Sequence, residues 1–222
     1  MVRPGRQEEA VDAAAVRVRL ANTYWIGGGS GAGKSVIARR LAVQHGLRVY
    51  ATDEVMPEHG GRITPQDAPF LSSFKRMDMD ERWVNRSPEA MLETFHWFRG
   101  EGFGLIVEDL LDLPAEPGVI AEGFRLLPHL VEPLLAALGH AVWLLPTPGF
   151  RRAAFASRGS LWEIAGKTGN PHRALHNLLE RDRMFTDRLR GDLQHLGLPA
   201  IEIDTAMTED DLARRVTEVF GL

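Results

Sequence analysis

The chain has 222 residues, 44% of them hydrophobic, and a formal net charge of -4. That length suits one α/β domain and is short for two, and the acidic balance argues against a nucleic-acid partner, whose phosphates call for a concentrated basic surface. With no cysteine there is no disulfide framework, thiolate nucleophile or Cys-ligated zinc, which points to a cytoplasmic protein; no apolar run is long enough to span a membrane, so none is expected as a partner.

Residues 1–22 read as an N-terminal extension, charged and Ala-rich and frayed or weakly helical to about residue 15. Val16, Val18 and Leu20 alternate with Arg17, Arg19 and Ala21, a pattern that allows an extra edge strand. A single domain then runs over 23–222. Its β-type runs fall at 23–26, 47–50, 118–121, 141–145 and 200–203. The segments between them are long enough for the helical crossovers that parallel strands require. The expected fold is therefore α/β, a five-stranded parallel, doubly wound sheet flanked by helices.

Directly after the first run comes Gly28-Gly29-Ser30-Gly31-Ala32-Gly33-Lys34-Ser35, a complete G-x-x-x-x-G-K-[ST] pattern, followed by the helical spacing of residues 36–42. The chemistry explains the residue types. Glycines let the backbone curl until its N–H groups point inward at phosphates, and the following helix adds its positive end. Lys34 then supplies a cation for the β/γ-phosphates and Ser35 a hydroxyl for Mg²⁺, so ATP and Mg²⁺ are the expected ligands.

Two segments look like a strand ending in acidic residues, the pattern that supports a nucleotide's Mg²⁺: Leu105-Ile106-Val107-Glu108-Asp109 and Val119-Ile120-Ala121-Glu122. Too few residues separate them for both to be neighbouring parallel strands. Phe103, Ile106, Leu110 and Leu113 continue a helical spacing, whereas Pro117 and Gly123 bracket a strand-length run, so the acidic strand end is assigned to Glu122.

On these residues the chain resembles the P-loop kinases of small molecules, the group of nucleoside and nucleotide kinases, shikimate and gluconate kinases and chloramphenicol phosphotransferases, over residues 23–221. The resemblance implies ATP-dependent transfer of the γ-phosphate to a hydroxyl of a small-molecule acceptor. It implies that Asp53, after the second strand, is the base or orienting carboxylate, and that Glu122 supports Mg²⁺ or touches substrate. An Arg-bearing lid is implied as well, with Arg151, Arg152 and Arg158 after the fourth strand and Arg181 and Arg188 on one helical face further on. Lys34, Asp53 and Arg181 form the implied catalytic set, with Arg158 and Arg188 on the nucleotide. The second carboxylate that follows Arg-Asp in nucleotide kinases is missing after Arg181-Asp182. Nucleosides, sugar acids, shikimate-like compounds and hydroxylated antibiotics all stay open as acceptors.

The acceptor pocket is expected between the second and third strands, from residues 54–98. Met56, Phe70, Phe74, Arg76, Trp83, Arg86, His96 and Trp97 are the candidates, with Trp83 and Arg86 singled out. His172 and His176 have metal-ligand spacing but no third ligand in view, and read as a surface pair. A GTPase is excluded by the absence of N-K-x-D and D-x-x-G segments. An NTP-binding regulatory ATPase without small-molecule transfer is the alternative.

Overall fold

The computed structural model describes residues 14–158 and 160–222, without the side chains of 155–162. Its centre is an open, all-parallel sheet of five strands, β1 (Thr23–Gly28), β2 (Arg48–Ala51), β3 (Val119–Glu122), β4 (Ala141–Pro146) and β5 (Ala200–Ile203), in the order β2-β3-β1-β4-β5. Each expected strand is present, with ends displaced by at most two residues. β1 runs on to Gly28 because its pairing with β4 continues past Ile26, with Gly27 opposite Trp143 and Gly28 opposite Leu144.

Successive side chains of a strand face opposite ways, and here they feed two cores. Trp25, Ala121, Trp143 and Leu145 enter one, and Ile26, Ile120, Val142 and Leu144 the other. The second core is closed by α1 (Lys34–His45), which presents Ile37, Ala38 and Leu41, and by the C-terminal helix Glu209–Phe220. Helices therefore cover both faces of the sheet.

Residues 14–19 are helical. Val16 and Leu20, four apart, pack inward while Val18 is 74% exposed, so the alternation that allowed an edge strand is one helical stripe.

Between β2 and β3 the chain makes five helices: α2 (Met56–Arg62), α3 (Pro69–Arg76), α4 (Met79–Trp83), α5 (Pro88–Thr94) and α6 (Phe103–Asp112), with a 3₁₀ turn at His96–Arg99. Local signals cut this stretch into short pieces. Asp78 caps α4 by accepting from the Glu81 amide at 2.8 Å, Ser87 caps α5 by accepting from the Ala90 amide at 3.2 Å, and α3 and α5 each begin with proline. Glu108 and Asp109 lie on α6, as the helical spacing implied.

After β3 come α7 (Pro128–Val131), α8 (Pro148–Arg158), α9 (Ser160–Ala165), the 26-residue α10 (Pro171–Leu196) and α11 (Glu209–Phe220). α10 starts at the cap Asn170 and stops at Gly197, which takes a left-handed φ of 65°. It packs Phe185, Leu189 and Leu193 into the first core. Asn177 on the same helix donates to the carbonyls of Trp83 (3.1 Å), Val84 (3.2 Å) and Arg86 (3.3 Å), fastening α4 and the segment after it. No described helix is long and apolar enough to cross a membrane.

Candidate active site

Three strands deliver their ends to one edge of the sheet. β1 stops at Gly28, β2 stops two residues before Asp53, and β3 stops on Glu122, which stands level with Ile26 and Ala51. The loop that follows β1 is shaped by its neighbours as well as by its own glycines. Gly28 has φ 125°, and a Cβ there would collide with the Leu144 carbonyl; at Gly29 it would lie 2.7 Å from the Thr186 hydroxyl of α10. Gly33 caps α1 with φ 80°, and no side chain caps that helix, so its first N–H groups and positive end are left for an anion.

A cavity of about 440 Å³ opens at this edge. Ser30, Gly31, Ala32, Gly33, Lys34 and Ser35 form one side, with Asp53 beside them. Across from them is a wall of rings and aliphatic groups: Met56, Phe74, Trp83, Phe95, His96, Trp97, Phe98 and Phe124, with Ile164 and Leu178. Arg181 and Asp182 of α10 complete the lining. Among the sequence-designated residues, the structure thus brings together the loop from Ser30 to Ser35, Asp53, Met56, Phe74, Trp83, His96, Trp97 and Arg181. Gly28 and Gly29 sit behind that surface and shape it.

Lys34 is buried, and its Nζ donates to the Gly29 carbonyl at 2.9 Å. Glu122 is 2% exposed, and its Oε2 has no hydrogen-bond partner among the described residues. Burial raises its pKa above the usual carboxylate range, against the pull of a Ser35 hydrogen bond and the Lys34 charge. Asp53 reaches the open cleft and so remains accessible, yet the surrounding walls strip enough water from it to raise its pKa too; the charges of Lys34 and Arg125 oppose that rise.

Arg181 is held at the back of the cavity. Its Nε and Nη2 donate to Asp182 Oδ1 at 2.9 and 2.7 Å, and its guanidinium carbon lies 4.7 Å from the ring centre of Phe95, 5.3 Å from Trp83 and 5.2 Å from Phe98. Nη1 is buried without a partner among the described residues. The fixed orientation leaves a cation at the cavity surface with one face of its donor fork unused.

The remaining designated residues lie elsewhere. Arg86 is not part of the lining; it donates to the Ala90 carbonyl at 2.9 Å and to the Thr94 hydroxyl. Arg188 forms an ion pair with Glu93. Arg151 is buried against the Thr186 hydroxyl, and the Arg158 side chain lies outside the described residues. Phe70 stacks under Arg99 rather than facing the cavity, and Arg76 is exposed. No cluster of His, Asp and Glu fit to hold a metal ion occurs among the described residues, His172 and His176 included.

Sequence reasoning missed Arg125, which follows Glu122-Gly123-Phe124. It is 2% exposed and donates to the Thr52 carbonyl (3.2 Å), the Gly102 carbonyl (3.1 Å) and His59 Nδ1 (3.1 Å), with its guanidinium carbon 4.1 Å from the Trp97 ring centre. Because Nδ1 of His59 accepts, Nε2–H donates to Asp109 Oδ2 at 2.8 Å, and the Tyr50 hydroxyl donates to the same oxygen at 2.6 Å. Asp109 is thereby a strut under β2. Burial lowers the Arg125 pKa to about 10, so it is a cation at neutral pH and holds down the pKa of Asp53. Arg125→Met should raise the Asp53 pKa further. If Asp53 works as a base, the acid limb of the rate–pH profile moves to higher pH in this variant; an unmoved limb would separate the two residues.

No family model matches the chain, and the comparison with curated proteins found no match.

Proposed function

We propose that the chain is an ATP-dependent phosphotransferase that moves the γ-phosphate onto a hydroxyl of a small metabolite or natural product. The observation that carries this reading is one cavity lined at once by the loop 30–35, by Asp53 and by Arg181. The layered sheet is consistent with a doubly wound P-loop kinase fold, in which ligands bind beyond the carboxyl ends of the strands. A second cleft of about 150 Å³, walled by Ala32, Gly33, Phe150 and Met207 on the other side of the loop, has the apolar character a nucleotide base requires.

The donor set fits Mg²⁺ carried in by the nucleotide. Ser35 would offer its hydroxyl, and the unpartnered Glu122 oxygen beside it would accept hydrogen bonds from the ion's water shell; an ion that keeps its waters and phosphate ligands needs no all-protein cage. When bound, the ion supplies positive charge to the phosphate oxygens. The chain's own groups do the rest. The loop amides and Lys34 hold the phosphates, and the acceptor oxygen bonds to the γ-phosphorus as the bond from phosphorus to the β–γ bridging oxygen breaks and ADP leaves. Asp53 takes the hydroxyl proton. Lys34 and Arg181 stabilise the charge spread over the transferring group.

Thermal-shift and turnover assays with Mg·ATP and Mg·GTP, alone and with nucleosides, sugar acids, shikimate and hydroxylated antibiotics, test the proposal. ATP should raise the melting temperature, and one acceptor should become phosphorylated while ADP appears. ATP turnover indifferent to every acceptor would favour a regulatory ATPase, and no stabilisation by either nucleotide would overturn nucleotide binding altogether.

A further inference from the structure

The wall facing the loop carries more ring surface than a polar acceptor would use. Phe74, Phe95 and Phe124 are only half buried, although each packs by an edge or a face against further rings: Phe74 lies 5.4 Å from Trp83, Phe95 lies 4.8 Å from Phe98, and Phe124 lies 5.8 Å from Phe98. Their remaining area borders the cavity. Within that wall stands an imidazole that packs against Phe74, Phe95 and Trp97 but whose Nδ1 the described fold leaves without a hydrogen bond. His96 is 3% exposed and lines the cavity, and its Nδ1 is buried with no hydrogen-bond partner among the described residues. A buried polar atom left unpaired costs about 1–3 kcal/mol, so an imidazole kept in this position points to a ligand that engages it.

The charges around the wall narrow the choice. Arg82 donates to the carbonyls of Phe74 (3.0 Å) and Lys75 (3.2 Å), Lys75 donates to the Gly60 carbonyl, and Arg125 to two carbonyls and His59. None of the three has a carboxylate ion-pair partner among the described residues. Together with Arg181 they keep His96 neutral, with its pKa lowered to about 3, burial being the larger cause. A neutral imidazole has one donor and one acceptor, and the cations that lower the His96 pKa disfavour a positive charge set against that ring.

We infer that the acceptor is an uncharged or anionic alcohol built on a flat aromatic or heteroaromatic ring, which packs against Phe74, Phe95 and Phe124 and hydrogen-bonds to His96. The inference rests on the phosphotransferase reading and adds the class of acceptor. A ringless sugar acid would leave the apolar wall without a partner and bury its own hydroxyls against rings. An aminoglycoside-like polycation has no flat ring to lay on that wall and would bring positive charge beside Arg181.

Calorimetric titration of the full chain with Mg·ADP comes first, followed by titration of the ADP complex with thymidine, chloramphenicol and tyrosol, and with ribitol, gluconate and kanamycin. At least one ring-bearing alcohol should bind about tenfold or more tighter than every ringless or cationic compound, and His96→Phe, which keeps a ring but removes both nitrogens, should weaken that binding about tenfold while ADP affinity is unchanged. Equal or tighter binding of the ringless or cationic compounds, no binding of any ring-bearing alcohol, or an indifferent His96→Phe would overturn the inference while leaving nucleotide binding intact. Failure of Mg·ADP to bind would instead overturn the phosphotransferase reading beneath it.

Discussion

Lys34→Ala is expected to lower the rate of phosphate transfer about a hundredfold, the equivalent of about 3 kcal/mol for one positioned contact to developing charge. The ammonium is buried beside the loop, oriented by the Gly29 carbonyl, and its charge opposes the pKa rise of both Asp53 and Glu122. Removing it therefore acts twice, through the phosphates and through the protonation of the two carboxyls. Single-turnover rates with saturating Mg·ATP and an identified acceptor read the first effect, and the acid limb of the pH profile, moved to higher pH, reads the second. Turnover at the parent rate would show that the loop is not where phosphate is transferred.

Asp53→Asn should abolish transfer while leaving ATP affinity within a few fold, because the amide keeps the shape of the carboxyl and loses only its capacity to take the hydroxyl proton. A large loss of ATP binding would move Asp53 to the ion's water shell. Stability should change in a direction that the pKa fixes. The folded-state pKa lies above the usual value through loss of solvation, so ionised Asp53 destabilises the folded protein at neutral pH, and that cost fades as pH falls through the raised pKa. The asparagine variant never bears it. Its melting temperature should equal or exceed the parent's at pH 7, with the difference shrinking in acid, a trend that differential scanning calorimetry follows.

The strands and the loop were legible because both rest on local rules. Alternating apolar runs separated by crossover-length segments leave few arrangements open, and Gly33 and Lys34 announce themselves by spacing. Even so, spacing explained Gly28 only in part: its conformation answers to the backbone of Leu144, a partner 116 positions away. The acceptor side was legible only as a region. Trp83, His96 and Trp97 fell within the designated stretch, but Phe124 comes from beyond β3 and joins the wall through the sheet's strand order, with Arg125 buried behind it. Arginines were the hardest to read. Arg86, Arg181 and Arg188 look alike in a linear chain, and what separates them is the neighbour each finds: the Ala90 carbonyl, three aromatic rings or Glu93. Asp109 showed the converse, an acidic residue with a site-like sequence context that the fold spends on Tyr50 and His59.

The reach of α10 has a mechanical meaning. Asn177 grips the backbone of α4 and the segment after it, Arg181 one turn on stands in the cavity, and Thr186 abuts Gly29 at the root of the loop. A hydrogen-bonded helix is stiff over so few turns, so the two ends of the cavity are mounted on one beam. Whatever strains the aromatic wall loads the glycine loop as well, and neither end can be re-engineered as though the other were absent.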